Sequence, residues 1–244
     1  MILTRRRRIW VGLLLSSLFW TYFSQRVDGA REGDSEDLTL PESFKPQIRG
    51  EFFTKNRSPQ FKVQIGEVTA GEVVFLYSSA DDKPLMKALY RLEGIRLKSL
   101  KIKHLERRFA LTAEPDGQAW KITRAGKESW LRVSGTKPLV THGNFYLFLL
   151  ESQDQLNQGK AVIYDFFVPE DNRLVELKLS RENAGSGSLW NLKMEATSSL
   201  VRVFLRPFFL DFDYAKKIIV SGEVLDPIFS RERMKVRYFS TQSG

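Results

Sequence analysis

From residue 50 onward the chain alternates between apolar and polar positions, broken at short intervals by turn residues. Phe61, Val63 and Ile65 alternate with Lys62 and Gln64. A period of two puts one set of side chains on each face of a strand. Residues 73–77 form an unbroken apolar run, long enough for a buried strand and too short for a helix. Asp81-Asp82-Lys83-Pro84 is a turn, and residues 95–105 form a strand with charged alternation. Phe109, Leu111 and Ala113 lead into Pro115-Asp116-Gly117, a hairpin turn. Trp120 and Ile122 begin the return strand. Gly126-Lys127 turns the chain again before residues 130–133. This rhythm predicts an antiparallel meander.

The period changes near Gly143. Phe145, Phe148, Leu149 and Leu156 fall at helical spacing, with Asn144 placed as an N-cap and Gly159 as a C-terminal stop. The spacing predicts one amphipathic helix of about three turns. Strand alternation then returns over 161–168, closed by Pro169, and over 174–179 after the turn Glu170-Asp171-Asn172. Gly185-Ser-Gly-Ser188 marks a hairpin tip before a strand over 189–196. Ser198 or Ser199 caps a short helix over 200–205, ended by Pro207. Residues 208–212 and 217–221 form a hairpin around Asp213-Tyr214-Ala215, and 235–239 is a terminal strand. The expected fold is α+β, mainly antiparallel β. It is a large curved sheet or half-barrel of roughly twelve strands with one or two short helices packed on it. A single β-rich domain spans 48–244.

The segments Gly143-Asn-Phe145, Leu156-Asn-Gln-Gly159-Lys-Ala-Val162 and Asp165-Phe-Phe-Val-Pro169 resemble a region shared by uncharacterised exported bacterial proteins. Trp190-Asn-Leu-Lys-Met194 and Leu210-Asp-Phe-Asp-Tyr214, with Gly222, are similar to the second half of the same family. Those proteins in turn resemble, more loosely, the curved antiparallel sheets of periplasmic lipoprotein carriers. The likeness covers roughly residues 140–225 and rests on aromatic and glycine positions. It implies a fold and an envelope location, and it implies no activity.

The amino-terminal stretch supports the same location. Arg5–Arg8 run into the apolar segment Ile9–Phe23, and Gly29 and Ala30 follow. Positive charge, apolar core and small residues in this order form a secretory leader, expected over 1–30. The arginines stay on the cytoplasmic side, so the rest is expected in the periplasm or beyond. As a helix the 15 residues of this segment measure ~22 Å, against ~30 Å of hydrocarbon, which favours a cleaved signal peptide. Trp10, Trp20 and Tyr22 suit membrane interfaces and keep open a retained anchor, with membrane contact through residues 9–23. Residues 31–47 are polar, acidic and proline-bearing, and read as a flexible linker.

Charge changes the picture less than it first suggests. The formal net charge is +9. The leader carries five arginines and Asp28, which leaves 33 basic and 28 acidic residues, or +5, in the remainder. The densest run, Arg96–Arg108, alternates Lys98, Lys101 and Lys103 with Leu97, Leu100 and Ile102. It reads as a solvated strand face, or as a surface for anionic head groups or glycans. Such diffuse charge does not predict nucleic-acid binding. The absence of cysteine excludes disulfides, thiolate metal sites and cysteine nucleophiles.

Candidate chemistry is sparse. His104 and His142 are far apart in the chain and read as surface or loop residues. No metal-ligand spacing and no phosphate-binding glycine loop occur, so neither metal nor cofactor is expected. Ser134-Gly-Thr-Lys137 matches Ser-x-x-Lys but sits before Pro138 in a turn. Asp211 and Asp213 share a strand face beside a turn. No catalytic residue is assigned.

The one compositional excess is aromatic: 18 Phe, 7 Tyr and 5 Trp. Neighbours on a strand point to opposite faces, so Phe166-Phe167 and Phe208-Phe209 require either two covered faces or an apolar groove. Phe145, Phe148, Phe166, Phe167, Phe208 and Phe209 are therefore the candidate ligand-binding residues. Two non-enzymatic functions follow, and an enzyme of unrecognised type stays open as a third. The first is an envelope protein that binds a lipid or other apolar ligand in a concave sheet. The alternative is a structural or protein-interaction module with an envelope protein as partner.

Overall fold

The computed structural model describes residues 44–53, 59–105, 109–168, 171–182, 187–225 and 233–240. The expected leader and most of the expected linker lie outside the described residues, as do Pro169, Glu170 and half of the glycine–serine hairpin tip.

The first half of the chain is a meander of eight strands. They are β1 (Ile48–Phe53), β2 (Pro59–Thr69), β3 (Glu72–Ser79), β4 (Pro84–Glu93), β5 (Arg96–His104), β6 (Phe109–Asp116), β7 (Ala119–Arg124) and β8 (Lys127–Arg132). Consecutive strands pair antiparallel throughout. The turns are fixed by local chemistry. Residues 125 and 126 form the two-residue β7–β8 loop, with Ala125 at φ 48° and Gly126 at φ 74°. Positive φ at both positions is what a tight hairpin with the strand twist requires.

A two-residue strand, β9 (Leu139–Val140), precedes the helices α1 (Phe145–Glu151) and α2 (Gln153–Asn157). There follow β10 (Val162–Val168), β11 (Arg173–Arg181), β12 (Leu189–Ala196), α3 (Ser199–Phe204), β13 (Phe208–Asp213), β14 (Ile218–Leu225) and β15 (Arg233–Ser240). The single helix expected between Asn144 and Gly159 is thus two segments parted at Ser152. The short helix is capped by Ser198, whose side chain accepts a hydrogen bond from the Val201 amide.

All fifteen strands join one open, curved sheet in the order β8-β7-β6-β5-β4-β3-β2-β1-β15-β14-β13-β12-β11-β10-β9. Every pairing is antiparallel except β9 with β10, which is parallel. The terminal strand β15 lies between β14 and β1 and so connects the two halves. The sheet curls back on itself. Trp120 on β7 and Phe167 on β10, near opposite ends of the strand order, have ring centroids 5.6 Å apart.

Two apolar cores result. The first fills the inner face of the meander with Phe52, Tyr77, Tyr90, Leu100, Ile102, Leu111 and Trp120, and it takes Phe167 from β10. The second lies between α1–α2 and strands β10–β13. It contains Phe148, Leu149, Leu156, Tyr164, Leu179, Trp190, Leu192 and Phe212. Residues 44–47, read as linker from sequence, instead lie across β2. The Gln47 amide donates to the Ile65 carbonyl at 2.8 Å. A Cβ on Gly66 would stand 2.5 Å from the Lys45 carbonyl oxygen, so the crossing needs glycine there. Among the described residues no helix is long and apolar enough to cross a membrane.

Candidate functional site

The helix-covered half of the sheet is seated by a small polar hub. Asn144 occupies the N-cap position of α1 but makes no capping bond. Its side-chain oxygen accepts from the Thr141 amide at 2.6 Å, and its nitrogen donates to the Ile95 carbonyl at 2.7 Å and the Leu139 carbonyl at 2.9 Å. One fully buried amide thereby ties the helix start to β9 and to the β4–β5 turn. Gly143 beside it lies against Tyr90, where an added Cβ would stand 2.1 Å from the ring carbon Cγ. The backbone bonds Ser152 N–H to Phe148 O and Leu156 N–H to Ser152 O carry the helical path through the break. The Ser152 hydroxyl also donates to the Phe148 carbonyl at 2.8 Å, a competing bond that bends helices.

The six candidate aromatics do not form one site. Phe148 is buried on α1, its ring 4.7 Å from Tyr164 and 6.3 Å from the half-buried Phe145. Phe166 is half-buried against the same core and meets the His142 ring edge-on at 5.2 Å. Phe208 is half-buried and stands opposite Met194, in the row that continues inward through Leu210 and Phe212. Those four share the helix-covered face. Phe167 points the other way, into the first core, and is 1% exposed. Phe209 stands opposite Lys193 on the outer face and is 37% exposed. The requirement that both faces be covered at Phe166-Phe167 is therefore met by two cores.

The site is a floor with a rim. Tyr164, Leu179 and Leu192 form a fully buried floor, and burial pushes the Tyr164 phenol well above its ordinary pKa. Phe145, Tyr146 and Phe166 form a half-buried aromatic rim. Two polar ties hold the helices over it. The Tyr146 hydroxyl donates to the Lys217 carbonyl at 2.6 Å, and Arg181 donates to the Asn157 side-chain oxygen at 3.4 Å. Arg181 also lies 4.5 Å over the Trp190 ring, which stacks on Tyr214 at 4.5 Å. Sequence alternation marks Tyr164 as inward but not as the floor of this layer.

The Ser-x-x-Lys motif falls in a polar cluster at the sheet edge. Lys137 pairs with Glu176, which also accepts from the Thr197 hydroxyl. Ser134 donates to Asp165 at 3.3 Å. Asp165 and Glu176 are direct neighbours across β10–β11. The bond to Glu176, with the Asp165 charge nearby, holds the Lys137 pKa above its ordinary value. A lysine general base must be neutral, and this one is held charged by its pairing with Glu176. Asp211 accepts from Asn191 at 3.1 Å and Ser221 at 2.5 Å, a cross-strand clasp. His142 is exposed, as expected, but His104 is buried at 5% on β5. There the inward row of the strand carries it into the core side of the sheet. Among the described residues no group of three or more His, Asp or Glu is placed to hold a metal ion.

No family model matches the chain. No curated protein matches it. Among solved structures it is similar to the crystal structure of a beta-barrel-like protein of domain of unknown function DUF1849 from Brucella abortus. The two are 8% identical, the match covers 81% of this chain and 98% of that one, and the TM-score is 0.47.

Proposed function

We propose that the protein is a non-enzymatic binding module exported to the cell envelope, taking a lipid or other apolar ligand on the helix-covered half of its sheet. Export rests on the arginine-led apolar segment over residues 5–23. Binding rests on one observation: a buried apolar floor covered only by two short helices and edged by the half-buried aromatics Phe145, Tyr146 and Phe166. An apolar layer with a few polar groups at its margin is the usual composition of a small-molecule site. The test is mass spectrometry of lipid co-purifying with the full chain from the envelope fraction. Wild-type protein should carry lipid. Phe145→Asp, at the first turn of α1 where a carboxylate suits the helix dipole, should carry little while remaining folded. Protein that is free of lipid in both forms overturns the reading.

The alternative, a protein-interaction module, is favoured by Phe209. It stands 37% exposed on the outer face, away from both cores. On that reading Phe209→Glu abolishes association with an envelope protein and leaves lipid content unchanged.

A further inference from the structure

Two polar groups lie buried without a hydrogen-bond partner in the layer between the helices and the sheet. They are the Tyr164 hydroxyl and the Gln153 side-chain nitrogen; among the described residues a third such atom, Arg181 Nε, belongs to a guanidinium already bonded to Asn157 and seated over Trp190 at the margin. Tyr164 is 0% exposed. Its ring packs at 4.7 Å on Phe148, and its cross-strand neighbour is the buried Leu177. Gln153 opens α2 one turn beyond Leu149, on the stripe that buries Phe148, Leu149 and Leu156. A buried polar group without a partner is costly, and such groups in native proteins usually mark a missing ligand, ion or water. Both groups can donate, and what both lack is an acceptor. The surroundings of Tyr164 are apolar, and the burial that raises its phenol would penalise a carboxylate in the same place.

We infer that Tyr164 and Gln153 hold the polar end of an amphipathic ligand, an acyl chain ending in a neutral ester or amide carbonyl. Its chain lies along the apolar layer under α1–α2. This deepens the lipid-binding reading and rests on it. Access requires the helix pair to lift, and its named polar ties at the far ends are the Tyr146–Lys217 and Asn157–Arg181 contacts.

The test is titration of the full chain with 1-monooleoylglycerol, oleate and 1-octadecene, for wild type, Tyr164→Phe and Gln153→Leu. Wild type should bind the ester more tightly than either other probe. Each variant should lose about tenfold for the ester, the worth of one neutral hydrogen bond, and nothing for the hydrocarbon. Without ligand, Tyr164→Phe should unfold at the same temperature as wild type or higher, because the hydroxyl it removes has no partner. Equal ester binding by wild type and both variants, or oleate bound as tightly as the ester, overturns this inference and leaves the lipid reading standing. So does a lower unfolding temperature for ligand-free Tyr164→Phe. Failure of wild type to bind any of the three probes overturns both.

Discussion

Asn144 shows how much of this fold hangs on single side chains. Its amide joins the stretch Leu139–Thr141 just before the helix to Ile95, 49 residues away in sequence. Asn144→Ala leaves buried carbonyls and an amide unpaired and should cost about 1–3 kcal/mol in urea unfolding. Phe148→Ala, which empties the second core beneath α1, should cost about 3–5 kcal/mol, whereas the outer-face change Phe209→Ala should stay within about 1 kcal/mol. A charge effect is also expected at Glu176. The Lys137 ammonium first, then the Thr197 hydroxyl, hold its carboxyl below the ordinary value of 4.5. The stability this contributes is present above that value and is lost as the pH falls through the lowered native pKa. Lys137→Met should therefore flatten the acid side of the plot of unfolding temperature against pH, leaving the neutral region little changed.

At the scale of elements, hairpins and helices were legible where local chemistry decides them. Gly117, Gly126 and Ser198 each sit where turn and cap preferences put them, although Pro115 and Asp116 belong to β6 and the turn is Gly117-Gln118, and Gly159 ends the helical stretch at φ 73°. The break at Ser152 was not legible, because the apolar spacing runs on through it and only the hydroxyl bond to Phe148 interrupts the regular path. Strand β9 was missed because two residues carry no period. Ala125 holds a left-handed conformation at φ 48° in the β7–β8 turn. Such a conformation costs a non-glycine residue roughly 1–2 kcal/mol. Ala125→Gly should recover part of that and raise the midpoint of denaturant unfolding, despite the greater freedom glycine has in the unfolded chain.

At the scale of the whole molecule, period-two alternation was enough to predict a large antiparallel sheet, because most of the strands carry an alternating apolar row. It was not enough to show which faces would meet. That Phe166 and Phe167 enter different cores follows from the curl that brings β10 against β7, a contact set by the accumulated twist of many strands rather than by any local pattern. The six candidate aromatics are therefore divided between the faces, as alternation requires of adjacent residues. Phe145, Phe148, Phe166 and Phe208 share the helix-covered side, and Phe167 and Phe209 do not. If the Trp120–Phe167 contact couples the two ends of the sheet, a double-mutant cycle with alanine at each position should give an interaction energy of about 0.5–1.5 kcal/mol. Additive losses would mean that the ends are stabilised independently.

The central claim is that an amphipathic ligand sits between α1–α2 and the sheet. Hydrogen–deuterium exchange with and without 1-monooleoylglycerol tests it most directly, because it reports where on the chain protection changes. The account predicts slower exchange concentrated in residues 145–157 and in the facing strand 162–168, with the meander of β1–β8 unchanged. Protection appearing instead on the outer face around Phe209, or no change anywhere at saturating ligand, would contradict it.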